Sequence, residues 1–493
     1  MNGQLTVHSR QLTVPPPTRW SQASLSKASS LGFANRRASQ PNLLLPTGAS
    51  NLRPALAAMF AVALLIPGPR TARAEIVRLT AEGAASRAVE VSNVAAAAVD
   101  RSRATGESVT AADAARLPQV TGTAALAQLS SVPEFTLPFA LPGQQPLVLV
   151  PDITTTYGAS VKVSESLYSG GAITAQRAAT RHDTEASVAI SRQAVADARL
   201  EGRLAYWESV RDAANVEAAR AQETRAKRLL DDTRDLLNAG MAVEADVLAA
   251  QERTASARVQ VIAAENSAAN ALAQLRSLLQ IGDGDAVELT DSLANGLPSP
   301  SGTLADLESQ ALARRSELAA TAAQLAALHD REEIARSGLR PAIGAVAQGD
   351  YSRPNQRYFP EADEWKDSWS VGVIASLTLF DGGKTRAETA ASRLTQQATQ
   401  RDQEELRRRI LLEVETGRHN LESAMATVGA ADAARAAAEQ REVAASDRHA
   451  AGLATMLEIL DAQADLAGAE QQQINARASS WIAAAYLARA IGQ

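Results

Sequence analysis

The sequence predicts a mainly α-helical protein with a small transmembrane β part, built as two tandem structural repeats. Three observations lead there. One stretch recurs at a fixed offset, proline is absent from long alanine-rich spans, and two of those spans are entered through a strand with one apolar and one polar face.

The repeat is read first, because overlooking one misassigns the fold. Residues Leu167 to Arg181 align without gaps on Leu379 to Arg393, an offset of 212 (379 minus 167). The same offset sets Ala239-Gly240-Met241 on Ala451-Gly452-Leu453, and Leu248 and Gln251 on Leu460 and Gln463. A register held over roughly seventy residues marks a duplication.

Composition narrows the function. Of 493 residues, 46% are hydrophobic but only 3% aromatic, which suits long alanine-rich helices better than one compact core. A net charge of −6 and a pI near 5.6 give no basic face for nucleic acid. The five histidines (His8, His182, His329, His419, His449) are too scattered to suggest a metal-ligand set, so neither metal nor other cofactor is expected. Cysteine is absent, which excludes disulfides, thiolate chemistry and a lipidated N-terminal cysteine. With no His/Asp/Ser constellation and no phosphate loop, the sequence does not read as an enzyme.

Arg53 precedes the apolar run Ala55 to Ile66, followed by Pro67, Pro69 and Ala72-Arg73-Ala74, the pattern of a secretory signal cleaved before Glu75. The run of about twelve residues is short of the roughly twenty that a bilayer-spanning helix needs. Residues 1–74 are therefore assigned to an N-terminal extension and signal, with residues 1–50 read as an over-extended start. Arg36-Arg37 leaves a twin-arginine signal as the alternative.

After that region, prolines occur only at Pro118 to Pro151, Pro298 to Pro300 and Pro341 to Pro360. A helix-interior proline costs about 3 kcal/mol, so the spans between them can be helical. Repeat 1 (75–297) is predicted to hold an opening helix up to 117, strands at about 119–129 and 154–167, a long helix 171–238 and a return helix 243–279. Repeat 2 (298–493) is predicted to hold a helix 303–338, strands at about 342–351 and 368–380, a long helix 384–450 and a return helix 454–490. In the first long helix, Leu200, Leu204, Trp207, Ala214, Ala218 and Ala221 form an alternating three-and-four seam, interrupted at Arg211. Gly240 and Gly452 read as left-handed helix caps, and the pairs Gly170-Gly171 and Gly382-Gly383 as strand-to-helix joints.

The better strand alternates Trp369, Val371, Val373, Ala375, Leu377, Leu379 with Ser368, Ser370, Gly372, Ile374, Ser376, Thr378. Its partner alternates Tyr157, Ala159, Val161, Val163, Glu165, Leu167 with small and polar residues. Each has about the length of a tilted transmembrane strand, with Tyr157 and Trp369 placed for an aromatic girdle. Glu165 is the misfit, tolerable only near the bilayer edge. Two hairpins supply four strands, whereas single-chain barrels begin at about eight. Open edges in hydrocarbon leave backbone groups unpaired at several kcal/mol each, so strands that span a membrane require the chain to oligomerise.

The joints Leu167 to Gly171 and Leu379 to Gly383 carry a family resemblance. So do the tips Ala239-Gly240-Met241 with Asp246-Val247-Leu248, and Ala451-Gly452-Leu453 with Glu458-Ile459-Leu460-Asp461-Ala462-Gln463. From about Glu75 to Gln493 the sequence resembles the TolC family of outer-membrane factors. The resemblance implies a homotrimer whose strands close one barrel in outer-membrane lipid, continued by a long α-helical barrel through the periplasm. It also implies docking at Gly240, Met241, Gly452 and Leu453 to a periplasmic adaptor, which links the channel to an inner-membrane efflux or type I secretion transporter. The missing cysteine favours the unlipidated branch.

Transport would then proceed without chemistry, under control at the helix tips. Glu458, Asp461 and Asp465 fall at i, i+3 and i+7 on one helix face, while the first-repeat counterparts are Asp246, Ala249 and Arg253. In the family, carboxylates at the Asp246, Glu458 and Asp461 positions belong to the tip constriction and its locks. Ala454 stands where some relatives place a basic lock partner, so a closed-state bridge would need another residue, such as Arg448 or His449. The bland reading of the stripe is a solvated helix face. The rival functions are a periplasmic adaptor, which would show one hairpin within β-rich halves, and a structural coiled-coil protein, which would lack the girdle strands.

Overall fold

A computed structural model of the chain describes residues 76–137, 147–282, 284–294, 296–298 and 302–493. The expected signal elements (Arg53, Ala55 to Ile66, Ala72-Arg73-Ala74) lie outside the described residues.

The chain opens with strand β1 (Ile76–Leu79), helices α1 (Ala81–Val91) and α2 (Asn93–Ala114), and strand β2 (Gln119–Gln128). Short strands β3 (Phe135–Leu137) and β4 (Leu147–Val150) lead to β5 (Thr155–Tyr168), the long helix α3 (Ala172–Asn238) and its return α4 (Glu244–Leu278). The second half runs β6 (Ala286–Leu289), α5 (Leu304–Arg314), α6 (Ser316–Arg336), β7 (Ala342–Arg353), β8 (Lys366–Ser376), α7 (Lys384–Ala450) and α8 (Met456–Ala490). The helices α3 and α7 each have 67 residues, about 100 Å at 1.5 Å per residue.

Glycine punctuates both long helices. Gly171 and Gly383 precede them with φ of 94° and 87°, a region where a Cβ is disfavoured. At the far ends Gly240 and Gly452 adopt φ of 73° and 71°. Met241 N–H donates to Leu236 O and Leu453 N–H to Arg448 O, both at 2.8 Å, completing Schellman caps that turn the chain back.

Two spans expected to be single helices are broken. The first opens with β1, which pairs in parallel with β6 (Ile76 opposite Ala286), and its helix is interrupted at Ser92, whose hydroxyl accepts the Ala95 N–H. The second turns at Arg315 (ψ 115°) between α5 and α6. Arg315 is only 8% exposed, bonded to Glu317 at 3.1 Å, Glu413 at 2.8 Å and Ala490 O at 3.2 Å. A tertiary ion network holds that break, and no local glycine or proline announces it.

The main core joins the small β1–β6 sheet to α3, α4 and α8 through Leu79, Tyr206, Trp207, Val210, Leu275 and Ala478. The fully buried Tyr206 donates its hydroxyl to Leu79 O at 3.2 Å and accepts the Asp291 N–H at 2.9 Å, while Trp207 stacks on Trp481 at 4.7 Å. Burial pushes the Tyr206 phenol up to about 12. Gly202 is where α1 crosses α3 most closely, against Ala84, Ala85 and Ala88. Of the six residues of the predicted α3 seam, Trp207 is buried, Leu200, Leu204, Ala214 and Ala218 are half-buried and Ala221 is exposed, while Gly202, Tyr206, Val210, Val216 and Leu229 are buried outside it. Helix α3 packs against α1, α2, α4, α6 and α8 along its length, so its burial wraps around several faces.

Candidate functional site

The antiparallel strands run in the order β2-β5-β7-β8. Cross-strand partners share a face, so the registers sort the side chains. The row Val120, Val163, Ala347, Val371 and the row Gly122, Val161, Gly349, Trp369 fall on one face; the row Thr121, Lys162, Gln348, Ser370 falls on the other. The apolar face is bare: Val120, Leu126, Val371, Val373 and Trp369 are 67–72% exposed. One face fits hydrocarbon and the other fits water.

Tyr157 belongs to an aromatic group at the loop end of this sheet, with Trp365 at 5.9 Å and Tyr351 stacked on Trp365 at 4.9 Å. Trp369 stands on the same face. Trp365 lies outside any strand and Tyr351 had no repeat counterpart to single it out, so alternation alone missed both. Glu165 pairs with Ala345 three residues from the helix end of β5. The expected strand 368–380 stops at Ser376, leaving Leu379 and Phe380 at 88% and 87% exposure. The equivalent β5 continues to Tyr168 because β7 pairs with it there, and β8 has no such neighbour among the described residues.

Each layer of the chain has two unpartnered sides. In the sheet these are β2 and β8. Among the upper helices α2 packs on α3, α3 on α6 and α6 on α7; among the lower ones α4 packs on α3, α3 on α8 and α8 on α7. One flank is therefore always repeat 1 (β2, α2, α4) and the other always repeat 2 (β8, α7). On the α4 flank Leu248, Val259 and Ile262 are 54–65% exposed.

The helix tips distribute their carboxylates differently from a simple stripe. Glu458 is bonded to Arg448 at 2.5 Å, and Asp465 is paired with Arg441, both arginines coming from α7 of the same hairpin. Asp461 is exposed, with no ion pair or hydrogen bond among the described residues. Asp246 accepts the Val243 N–H at 3.2 Å and so caps its own helix. The two tips are packed together, with Ala249 of α4 against Met456 and Ile459 of α8. Gly240, Met241, Gly452 and Leu453 form the two turns, with Met241 and Leu453 both 72% exposed. Above the tips, Arg225 on α3 clasps Glu470 on α8 through bonds of 3.2 and 2.6 Å. Among the described residues no cluster of metal-ligating side chains occurs, and no helix is long and apolar enough to cross a membrane.

Comparison with known proteins places this architecture. TolC, an outer membrane protein of Vibrio cholerae serotype O1, is 25% identical over 291 residues, covering 58% of this chain. The match spans 66% of that relative's length, just short of two thirds. Among solved structures, CusC superposes with a TM-score of 0.71 at 16% identity (85% of this chain, 94% of CusC). The outer-membrane channel OprN gives 0.68 at 20% (84% and 89%), and VceC, an outer membrane protein of Vibrio cholerae, gives 0.66 at 18% (84% and 96%). The sequence profile described as outer membrane efflux protein matches residues 88–280 and 307–493, most of both repeats. The chain therefore belongs to the outer membrane efflux protein family and is an outer-membrane protein rather than an enzyme.

Proposed function

We propose that three copies of this chain close head to tail into one export conduit, a β-barrel in the outer membrane continued by an α-helical barrel in the periplasm. The observation that carries this reading is the consistent pair of flanks: repeat 1 elements bound one side of every layer and repeat 2 elements the other. Such a surface is heterologous, and a heterologous contact generates a ring when the rotation closes. Three times four strands makes twelve, within the range of about 8 to 26 seen for bacterial barrels. The apolar sheet face then meets lipid and the polar face lines the lumen.

The tips at Gly240-Met241 and Gly452-Leu453 would dock a periplasmic adaptor that joins the conduit to an inner-membrane transporter, for efflux or type I secretion. The exposed apolar Met241 and Leu453 support this docking. The gate reading centres on Asp461, since Arg448 and Arg441 already neutralise Glu458 and Asp465. Three Asp461 carboxylates near the axis would favour cations at the mouth. Planar-bilayer recording of the purified channel tests both parts. A conducting trimer whose divalent-cation block weakens in Asp461→Ala supports the reading. A monomer, or no conductance, sinks the conduit, and block unchanged in Asp461→Ala sinks the gate.

A further inference from the structure

We infer that neighbouring copies join strand to strand in one fixed register, β8 of one copy against β2 of the next, with Val373 opposite Leu126 and Phe380 opposite Val120. This rests on the ring assembly proposed above and extends it to residue pairs.

The register follows from the duplication. In the first hairpin Gln119 pairs with Ser164, and in the second Ala342 pairs with Ser376. Ser376 lies 212 residues after Ser164, the offset of the sequence repeat, so the hairpins correspond and Ala342 is the counterpart of Gln119, 223 residues on (342 minus 119). Among the described residues one strand pairing joins the repeats, β5 against β7, where Val161 faces Gly349, Ser164 faces Val346 and Tyr168 faces Ile343. Moving the first member of each pair forward by 212 and the second back by 223 generates the joint between copies. Val161–Gly349 becomes Val373–Leu126, Ser164–Val346 becomes Ser376–Thr123, and Tyr168–Ile343 becomes Phe380–Val120.

Side-chain chemistry, which took no part in that mapping, agrees with it. Val373 meets Leu126 and Phe380 meets Val120, apolar pairs that are 67–87% exposed in the single chain, while Ser376 meets Thr123 on the polar face. A slip of one residue would set Val373 against Ala125 or Ala127 on the polar face and reverse every side chain. The joint also accounts for the early end of β8. Strand β5 runs to Tyr168 because Gly344 and Ile343 pair with it, and in the ring Thr121 and Val120 of the next copy would do the same for Thr378 and Phe380.

Two features away from the strands fit the same contact. A Cβ on Gly170 would meet Arg340 at 2.8 Å, whereas one on its counterpart Gly382 would meet nothing within 4 Å. The counterpart of Arg340 is Leu117, 62% exposed, which the joint supplies from the next copy. On α8, Leu460 and Ile474 pack towards α3 and Gln471 bonds Asn215 at 2.7 Å. Their counterparts on α4 are the exposed Leu248, Ile262 and Val259, so α4 presents to the next copy's α7 the face that α8 presents to α3.

Because the chain has no cysteine, introduced thiols are the only ones. The matched variants are Val373→Cys with Leu126→Cys, and Phe380→Cys with Val120→Cys; the slipped variants are Val371→Cys or Ala375→Cys with Leu126→Cys. Directly opposed Cβ atoms lie about 4.5–5.5 Å apart and diagonal ones about 7–8 Å, so matched pairs should oxidise at least about tenfold faster. Each purified variant is oxidised in detergent, resolved on a denaturing gel, and weighed natively before oxidation. Covalent dimers and trimers forming fastest in both matched variants support the register. A slipped pair that forms them faster, or trimers by native mass with no covalent product in any variant, overturns the register and leaves the ring standing. A native mass of one copy overturns the ring, and the register with it.

Discussion

Replacing Gly202 by alanine separates local propensity from packing. In a solvated helix, Gly→Ala gains about 1 kcal/mol, because glycine loses more backbone freedom on folding. At position 202 the new Cβ would lie 2.8 Å from Ala84 O, 2.8 Å from Ala88 Cβ and 2.9 Å from Ala85 Cα. None of these atoms ends a flexible side chain, and all three alanines are 0–2% exposed. Helix α1 must therefore shift off α3, and overpacking of this kind costs about 1–3 kcal/mol. Set against the propensity gain, the net is a loss of up to about 2 kcal/mol, confined to the α1–α3 contact. Hydrogen exchange of the α1 amides reads it directly, with rates rising by up to about 30-fold. Gly429→Ala on α7 is the control: its Cβ meets nothing within 4 Å, so it should leave α1 exchange unchanged and raise helix stability slightly. Slower α1 exchange in Gly202→Ala would refute the close-crossing argument.

Tyr206→Phe should cost about 1–3 kcal/mol, because Leu79 O loses one of its donors and the Asp291 N–H its acceptor; an unchanged thermal midpoint would contradict this. For Glu317, burial alone would raise the pKa, but the Arg489 hydrogen bond and the charges of Arg489 and Arg315 outweigh it and hold the carboxyl below its ordinary 4.5. Its stabilising contribution is then present above about pH 4.5 and lost as pH falls through the depressed folded value, so Glu317→Gln should flatten the acid limb of stability against pH. Loss of stability on raising the pH above 5, restored by Glu317→Gln, would contradict that sign. Glu470→Gln should loosen α8 from α3 by about 1–2 kcal/mol, the pair being neither fully buried nor fully exposed. The exchange Arg225→Glu with Glu470→Arg should restore part of it, and spin-label distances between the hairpins measure both.

The features legible in the sequence were those with strong local causes. Pro118 and Pro341 delimit β2 and β7, Gly170-Gly171 and Gly382-Gly383 start the long helices, and Gly240 and Gly452 end them. The alternation through Tyr157 and Trp369 was legible because side chains of a strand point to opposite faces in turn, and the strand register sets both residues on one face of the sheet. What escaped was set by partners distant in the chain. Strands β1 and β6 have four residues each, too few for a period, and pair across some 210 positions. The bend at Arg315 depends on Glu413 and Ala490. The acid face at Glu458 was legible as spacing and Arg448 as a candidate partner, but the pairing of Asp465 with Arg441 depends on how the antiparallel helix is set beside it.

In the proposed ring the two flanks of each chain are joined by copies of itself in the outer membrane. Cross-linking intact cells and then separating their membranes tests it most directly. A product of three copies is expected in the outer-membrane fraction. A single uncross-linked copy recovered with the soluble periplasmic proteins would contradict it.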